Sequence, residues 1–181
     1  MKKTFFLLSM LAGVLTAQAQ VSDNATVNVK LYPIQAIVVN PDNKVVNLYY
    51  QTTTDYQYGV NVDKKDHLKI YSTGGFEVNV SAAGDLTTSS DATKNISAAD
   101  IKITASAGTV NPLTSTTSNT YKSINLSNTN QLLVDNATGG VNKTVSVNYA
   151  AAGADAYVDK FINGENPTVY TITVTYTISP K

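Results

Sequence analysis

The chain contains a single histidine, and this residue is the first candidate for chemistry. His67 ends the run Asp63-Lys64-Lys65-Asp66-His67, where it could serve as a metal ligand or as a general base beside a carboxylate. A transition-metal site needs further histidine or cysteine ligands, and the chain has one His and no Cys. Because the run lies between two predicted strands, the plainer interpretation is a solvated turn. The sequence predicts no metal site here.

Carboxylates are the second group that could support catalysis. A glycoside hydrolase uses a pair of them, and Glu77 and Glu165 are candidates together with the aspartates. Glu77 falls on the outward side of a predicted strand, and Glu165 lies in the predicted turn 163–167. The chain has no Trp to bind a sugar ring, and no Gly-x-Ser-x-Gly elbow surrounds any serine. The sequence therefore predicts a protein without enzymatic activity.

Oxygen ligands also suit calcium, and one segment is rich in them. Asp155, Asp159, Asn163 and Glu165 precede the last predicted strand, but their spacing does not match the Asp-x-Asp-x-Asp-Gly calcium loop. An acidic surface loop is the simpler interpretation. We expect neither a metal nor a cofactor.

Tyrosine is the enriched aromatic residue, with 11 Tyr against 4 Phe. Four of the tyrosines lie within ten residues and could form a binding face for a sugar or a protein: Tyr49, Tyr50, Tyr56 and Tyr58. The plainer interpretation is that these amphipathic side chains fill the edge of a β-sandwich. Both interpretations remain open at this point.

The charge balance excludes some partners. All 13 basic residues are lysines, and they face 13 acidic residues. A near-neutral chain has no positive field to attract nucleic acid. Without arginine it also lacks the side chain that binds phosphate through two parallel hydrogen bonds. We expect no nucleic-acid partner.

The N-terminus has the three parts of a secretory signal peptide. Lys2 and Lys3 are followed by an apolar stretch over residues 5–15 and by the cleavage pattern Ala17-Gln18-Ala19. Residues 1–19 are therefore predicted to be removed on export, to the periplasm, the cell surface or the medium. Because the apolar stretch is shorter than the roughly 20 residues that span a bilayer, no membrane span is expected after cleavage.

Alternation of apolar and polar residues dominates the rest of the chain. It predicts about nine strands, each with one buried face, and a single domain over residues 20–181. The expected fold is all-β, a two-sheet antiparallel sandwich of immunoglobulin-like or Greek-key type. The clearest strand signals cover residues 27–31, 34–39, 45–50, 58–62, 68–72, 76–81, 101–104, 145–149 and 170–178.

Turn residues indicate how some strands connect. Residues 40–43, Asn-Pro-Asp-Asn, predict a turn between two apolar strands that are expected to be central in a sheet. Residues 73–75, Thr-Gly-Gly, predict a tight hairpin between strands 68–72 and 76–81. Short helical turns are expected at residues 97–100 and within residues 155–162.

Three segments carry a resemblance to known surface proteins: residues 25–31 (ATVNVKL), 72–82 (STGGFEVNVSA) and 170–178 (YTITVTYTI). The layout resembles spore-coat-U-like proteins, chaperone–usher pilin subunits and WxL-type surface domains. The chain differs from many pilins in lacking a cysteine pair, and from WxL domains in lacking tryptophan. The resemblance implies a non-enzymatic, bacterial structural or adhesive protein, with a carbohydrate- or peptidoglycan-binding module as the alternative.

The pilin resemblance also implies a mechanism of assembly. In such subunits an N-terminal strand of one chain completes the sheet of its neighbour. Here that strand would contain Thr26, Val27, Val29 and Leu31, and the partners would be further copies of this chain or other surface subunits. An ordinary first strand, paired within its own domain, is the simpler expectation.

Overall fold

A computed structural model describes residues 21–113 and 120–181. The predicted signal peptide, residues 1–19, lies outside this part of the chain. The chain divides into two units, residues 1–31 and 32–181. Eleven strands occur among the described residues: β1 (Gln35–Val39), β2 (Val60–Ser72), β3 (Phe76–Ala82), β4 (Leu86–Thr87), β5 (Asn95–Ile96), β6 (Ile101–Ala107), β7 (Thr120–Tyr121), β8 (Ser123–Asn125), β9 (Gln131–Asn136), β10 (Gly140–Ala151) and β11 (Val174–Pro180).

Nine of these strands form two antiparallel sheets. The first has the order β1-β2-β10-β6-β8, the second has the order β11-β3-β9-β7, and β4 and β5 form a small separate pair. The predicted all-β sandwich of about nine strands is confirmed. The strands form because apolar side chains recur at every second position and point to one face. On β3 these are Phe76, Val78 and Val80, all fully buried.

The predicted hairpin at residues 73–75 is wrong. These residues lead from β2 in the first sheet to β3 in the second, so the two strands are not paired. Alternation says that both strands have a buried face, but it does not say which neighbour each will bond. Gly75 serves a different purpose. A Cβ on Gly75 would lie 2.9 Å from the carbonyl oxygen of Ala137, which belongs to a second crossover, from β9 to β10.

Two other predicted strands also differ. Residues 45–50, expected to form a central strand, form no strand, and β1 lies at the edge of its sheet. Residues 170–173 precede β11 and carry one isolated bridge, from Thr171 to Thr87. In both segments the side chains still alternate between exposed and half-buried positions. The alternating pattern is therefore present without a complete ladder of hydrogen bonds.

Residues 21–31 form no strand, which corrects the prediction of an ordinary first strand with one buried face. The side chains of Val27, Val29 and Leu31 are 84%, 79% and 88% exposed. A strand persists only where its N–H and C=O groups find a partner edge. Within the part of the chain that the structure describes, these residues take part in no ladder.

Helical structure is limited to short pieces. The predicted turns are confirmed as 3-10 helices at Pro41–Asn43, Ala98–Asp100 and Val158–Lys160. The α-helix α1 (Thr53–Tyr58) was not predicted. It begins with a capping box, in which Asp55 Oδ2 accepts a hydrogen bond from the Thr52 N–H at 2.7 Å. The backbone N–H groups of Gln51 and Thr52, which both donate to this carboxylate, lower the pKa of Asp55.

Candidate assembly site

Two edge strands define one flank of the sandwich. Among the described strands, β1 bonds only to β2 and β11 bonds only to β3, so each has one free edge. The two strands belong to opposite sheets, and their Cα atoms approach within 8 Å. A free edge presents a row of unpaired N–H and C=O groups, which is a template for another strand.

The core is less completely covered on this flank than at the central strands. Inward side chains of the central strands are fully buried, such as Ile103 on β6, Val134 on β9 and Val78 on β3. The apolar side chains of β1, β11 and the segments that adjoin them are only partly buried: Ile37, Val39, Val46, Leu48, Tyr50, Tyr170, Ile172, Val174, Tyr176 and Ile178. Apolar area that stays in contact with water contributes little to stability, so covering it would be favourable.

The C-terminal end of β11 is well fixed. Lys181 donates from its backbone N–H to the Gly75 carbonyl at 3.1 Å. Its ammonium group lies 2.6 Å from Asp135 Oδ1, which makes the one ion pair among the described residues. The strand therefore has a secured C-terminal end beside the crossover at residues 73–75. Its other edge is paired with β3, from Val174 opposite Ala82 to Pro180 opposite Phe76.

The four predicted binding tyrosines do not share one environment. Tyr49 and Tyr58 are 61% and 75% exposed, whereas Tyr50 and Tyr56 are half-buried. Tyr50 packs against the rings of Tyr56 and Tyr157 at centroid distances of 5.2 and 5.1 Å. Its hydroxyl donates to the Ala152 carbonyl at 2.6 Å. Burial raises the pKa of Tyr50, and its contacts give it a structural role.

Tyr56 also borders a surface hollow beside that cluster. It lines a shallow hollow of about 230 Å³ together with Thr53, Asp155 and Val158. An aromatic ring beside a carboxylate offers a sugar both a stacking surface and a hydrogen-bond acceptor. Of the four predicted binding tyrosines, Tyr56 is the one that lines this hollow.

His67 is not in a solvated turn, and that prediction is wrong. It lies within β2 and is 1% exposed. The register between β2 and β10 shifts at this point. Leu68 pairs with Val145, whereas Lys64, four residues earlier on β2, pairs with Val147, only two residues later on β10. The extra residues form a bulge in which Asp66 has a φ of 49°. As a result His67 and its neighbour Leu68 are both buried.

A chain of hydrogen bonds starts at His67 and crosses the core. Its Nε2 lies 2.8 Å from the Tyr149 hydroxyl on β10, which lies 2.5 Å from the Tyr176 hydroxyl on β11. The chain thus joins the two sheets. Burial raises the pKa of Tyr149 to about 12 and also raises that of Tyr176. Burial, with a smaller effect from Lys64, lowers the pKa of His67 to about 4.

The acidic segment before β11 is held by contacts with the loop between β4 and β5. Glu165 accepts a hydrogen bond from the Ser90 hydroxyl, and Lys94 donates to the carbonyls of Asp159 and Phe161. Across residues 21–113 and 120–181, no group of three or more His, Asp or Glu side chains is placed to hold a metal ion. This segment is an acidic loop in the structure.

No family model and no curated protein matches this chain. The fold is thus assigned from the structure itself, as an antiparallel β-sandwich of two sheets. In the described part of the chain, no helix has the length and apolar character needed to cross a bilayer.

Proposed function

We propose that this protein is an exported structural or adhesive subunit that assembles by strand donation. In this scheme residues 21–31 of one copy bind the free edge of β11 in the next copy. The observation that carries the proposal is the exposed, alternating segment of residues 27–31, which has no strand partner within residues 21–113 and 120–181. Covering these apolar side chains would remove them from water, which is favourable.

The two surfaces match in length and in the spacing of their side chains. Six residues from Thr26 to Leu31 would extend for about 20 Å, and the seven residues of β11 extend for about 24 Å. Val27, Val29 and Leu31 present three apolar side chains at every second position. The core-facing side of β11 has the same spacing, with Val174, Tyr176 and Ile178. An added strand would continue the second sheet and cover part of the incompletely buried flank.

The proposal is tested by shortening the chain. We expect the mature protein, beginning at Gln20, to form oligomers whose masses are multiples of one copy. A chain that begins at Tyr32 keeps the whole sandwich and should remain monomeric in size-exclusion chromatography with light scattering. A synthetic peptide of residues 21–31 should bind this shortened chain in a one-to-one ratio. A mature protein that stays monomeric at high concentration, and a shortened chain that ignores the peptide, would contradict the proposal.

A second candidate function is glycan binding in the hollow beside Tyr56. If it is correct, Thr53→Arg should fill the hollow and reduce binding to a soluble peptidoglycan fragment or oligosaccharide at least tenfold. Thr54→Arg is the matched control, because it adds the same charge to α1 at an exposed residue that does not line the hollow. Isothermal titration with a panel of oligosaccharides is the measurement. Equal binding by both variants, or no binding by the parent, removes this candidate.

A further inference from the structure

We propose that His67, Tyr149 and Tyr176 form an acid-sensitive lock that holds β11 against the first sheet and so controls the acceptor edge. The role of β11 as an acceptor rests on the proposed function, but the lock itself does not. It is a property of the sandwich that can be measured in a single copy.

The lock is placed where it can act on β11. Two of its members belong to β2 and β10, adjacent strands of the first sheet, and Tyr176 is the member on β11. The His67 ring meets the rings of Tyr149 and Tyr176 edge to face, at centroid distances of 5.5 and 5.9 Å. Because β11 bonds to one of the described strands only, this cross-core chain is an attachment that does not depend on the β3 ladder.

Protonation of His67 is incompatible with the locked geometry. The Nδ1 atom is buried and has no hydrogen-bond partner in the structure. A neutral imidazole leaves that atom unpaired, but a protonated ring carries an N–H on both nitrogens and a positive charge. A buried charge with an unpaired donor is costly in an apolar core. Proton uptake therefore favours any opening that lets water reach His67.

The surrounding groups increase this cost. On β2, Lys64 adds a positive charge near the ring, and the Asp66 carboxylate is bonded to the N–H groups of Thr109 and Val110 instead. On β10 and β11 the facing titratable groups are the hydroxyls of Tyr149 and Tyr176. β1 (Gln35–Val39), which pairs with β2, carries no titratable side chain. Asn40 donates from its N–H to the His67 carbonyl and begins the 3-10 helix Pro41–Asn43, which contains Asp42. No carboxylate in the described residues pairs with His67.

The direction of the pH effect follows from this depressed pKa. Burial lowers the pKa of His67 from 6.5 to about 4, so the open state binds a proton more readily than the locked state. The lock is therefore at full strength above pH 6.5 and weakens as the pH falls toward 4. A transition that takes up one proton changes its equilibrium constant tenfold for each pH unit, which amounts to about 100-fold across this window.

Hydrogen exchange tests the lock directly. We would use the full mature chain with Val27→Lys and Val29→Lys. These substitutions prevent assembly through residues 21–31, so the exchange rates report on a single copy. Exchange protection of β11 amides is compared with that of β9 amides between pH 7 and pH 4, after correction for intrinsic rates. We expect β11 to lose about 100-fold in protection relative to β9. If both strands lose protection together, the inference is overturned.

Two further substitutions separate the lock from general acid sensitivity. His67→Gln in the same chain should remove the pH-dependent loss at β11, because glutamine does not titrate. Tyr176→Phe keeps the ring and removes the hydroxyl, so it should raise β11 exchange already at pH 7; it provides the readout if the glutamine variant does not fold. A glutamine variant that retains the loss, or a phenylalanine variant with unchanged exchange, overturns the inference. Oligomerisation of the parent chain at pH 7, measured separately, reports on strand donation alone.

Discussion

Replacing Val27 and Val29 with lysine is expected to abolish assembly of the mature chain and to leave the sandwich intact. Both side chains are exposed in the single copy, so their replacement costs the fold little. In a donated strand they would be buried, and each valine contributes about 1.5–3 kcal/mol on burial. Losing two such contacts weakens association at least 100-fold. Concentration-dependent light scattering measures the loss.

The matched control uses the other face of the same segment. Thr26→Lys and Asn28→Lys add the same two charges at alternate positions that would point away from the core. This pair should change the association constant by less than tenfold, and thermal unfolding should be the same for both double variants. If the two double variants associate equally well, residues 27 and 29 are not the inserted side chains, and the proposed donor register is wrong.

The second large effect concerns the end of the sandwich, where two crossovers meet. Gly139 precedes β10, and a Cβ at this position would lie 2.4 Å from the Ser72 carbonyl oxygen and 2.8 Å from the Thr73 carbonyl carbon. Both are backbone atoms, so no side chain can rotate away. Gly139→Ala should lower the free energy of unfolding by about 2–4 kcal/mol, since the two crossovers must move apart.

Gly74 provides the control from the same corner. A Cβ there meets nothing within 4 Å, and Gly74 is not among the glycines with a positive φ. Gly74→Ala should leave stability unchanged or raise it by about 0.5 kcal/mol, through the lower entropy of the unfolded chain. Urea unfolding followed by circular dichroism compares the two. Equal midpoints for both variants would mean that the close approach at Gly139 does not constrain the fold.

Much of the fold could be predicted from alternation alone. The strands around Phe76–Val80 and Val145–Tyr149 bury one face over a regular period of two, and both are present. What alternation cannot supply is the partner of each strand. The glycines at 74 and 75 have the composition of a hairpin turn, yet they lie in a crossover between sheets. Gly75 lies against Ala137, a residue distant in sequence, and alternation gives no sign of this contact.

The candidate site was predictable only in part. The apolar alternation of residues 27–31 identified the segment, but the sequence could not say whether its partner edge lies in the same chain. The burial of His67 was not predicted, because it depends on a bulge between β2 and β10 that pairs residues about 80 positions apart. A weak signal was present: Asp66, with a positive φ, is a residue type that tolerates the left-handed conformation a bulge requires.

The strand order also bears on how quickly the chain can fold. β2 is flanked by β1 and by β10, and β3 is flanked by β9 and β11. The centres of both sheets therefore cannot form until residues beyond 130 are available. Such non-local pairing gives a high contact order, for which folding takes milliseconds to seconds. Until the last quarter of the chain is available, β2 and β3 have few lasting partners. Under the proposed export, this delay would keep the sheets open while the chain crosses a membrane.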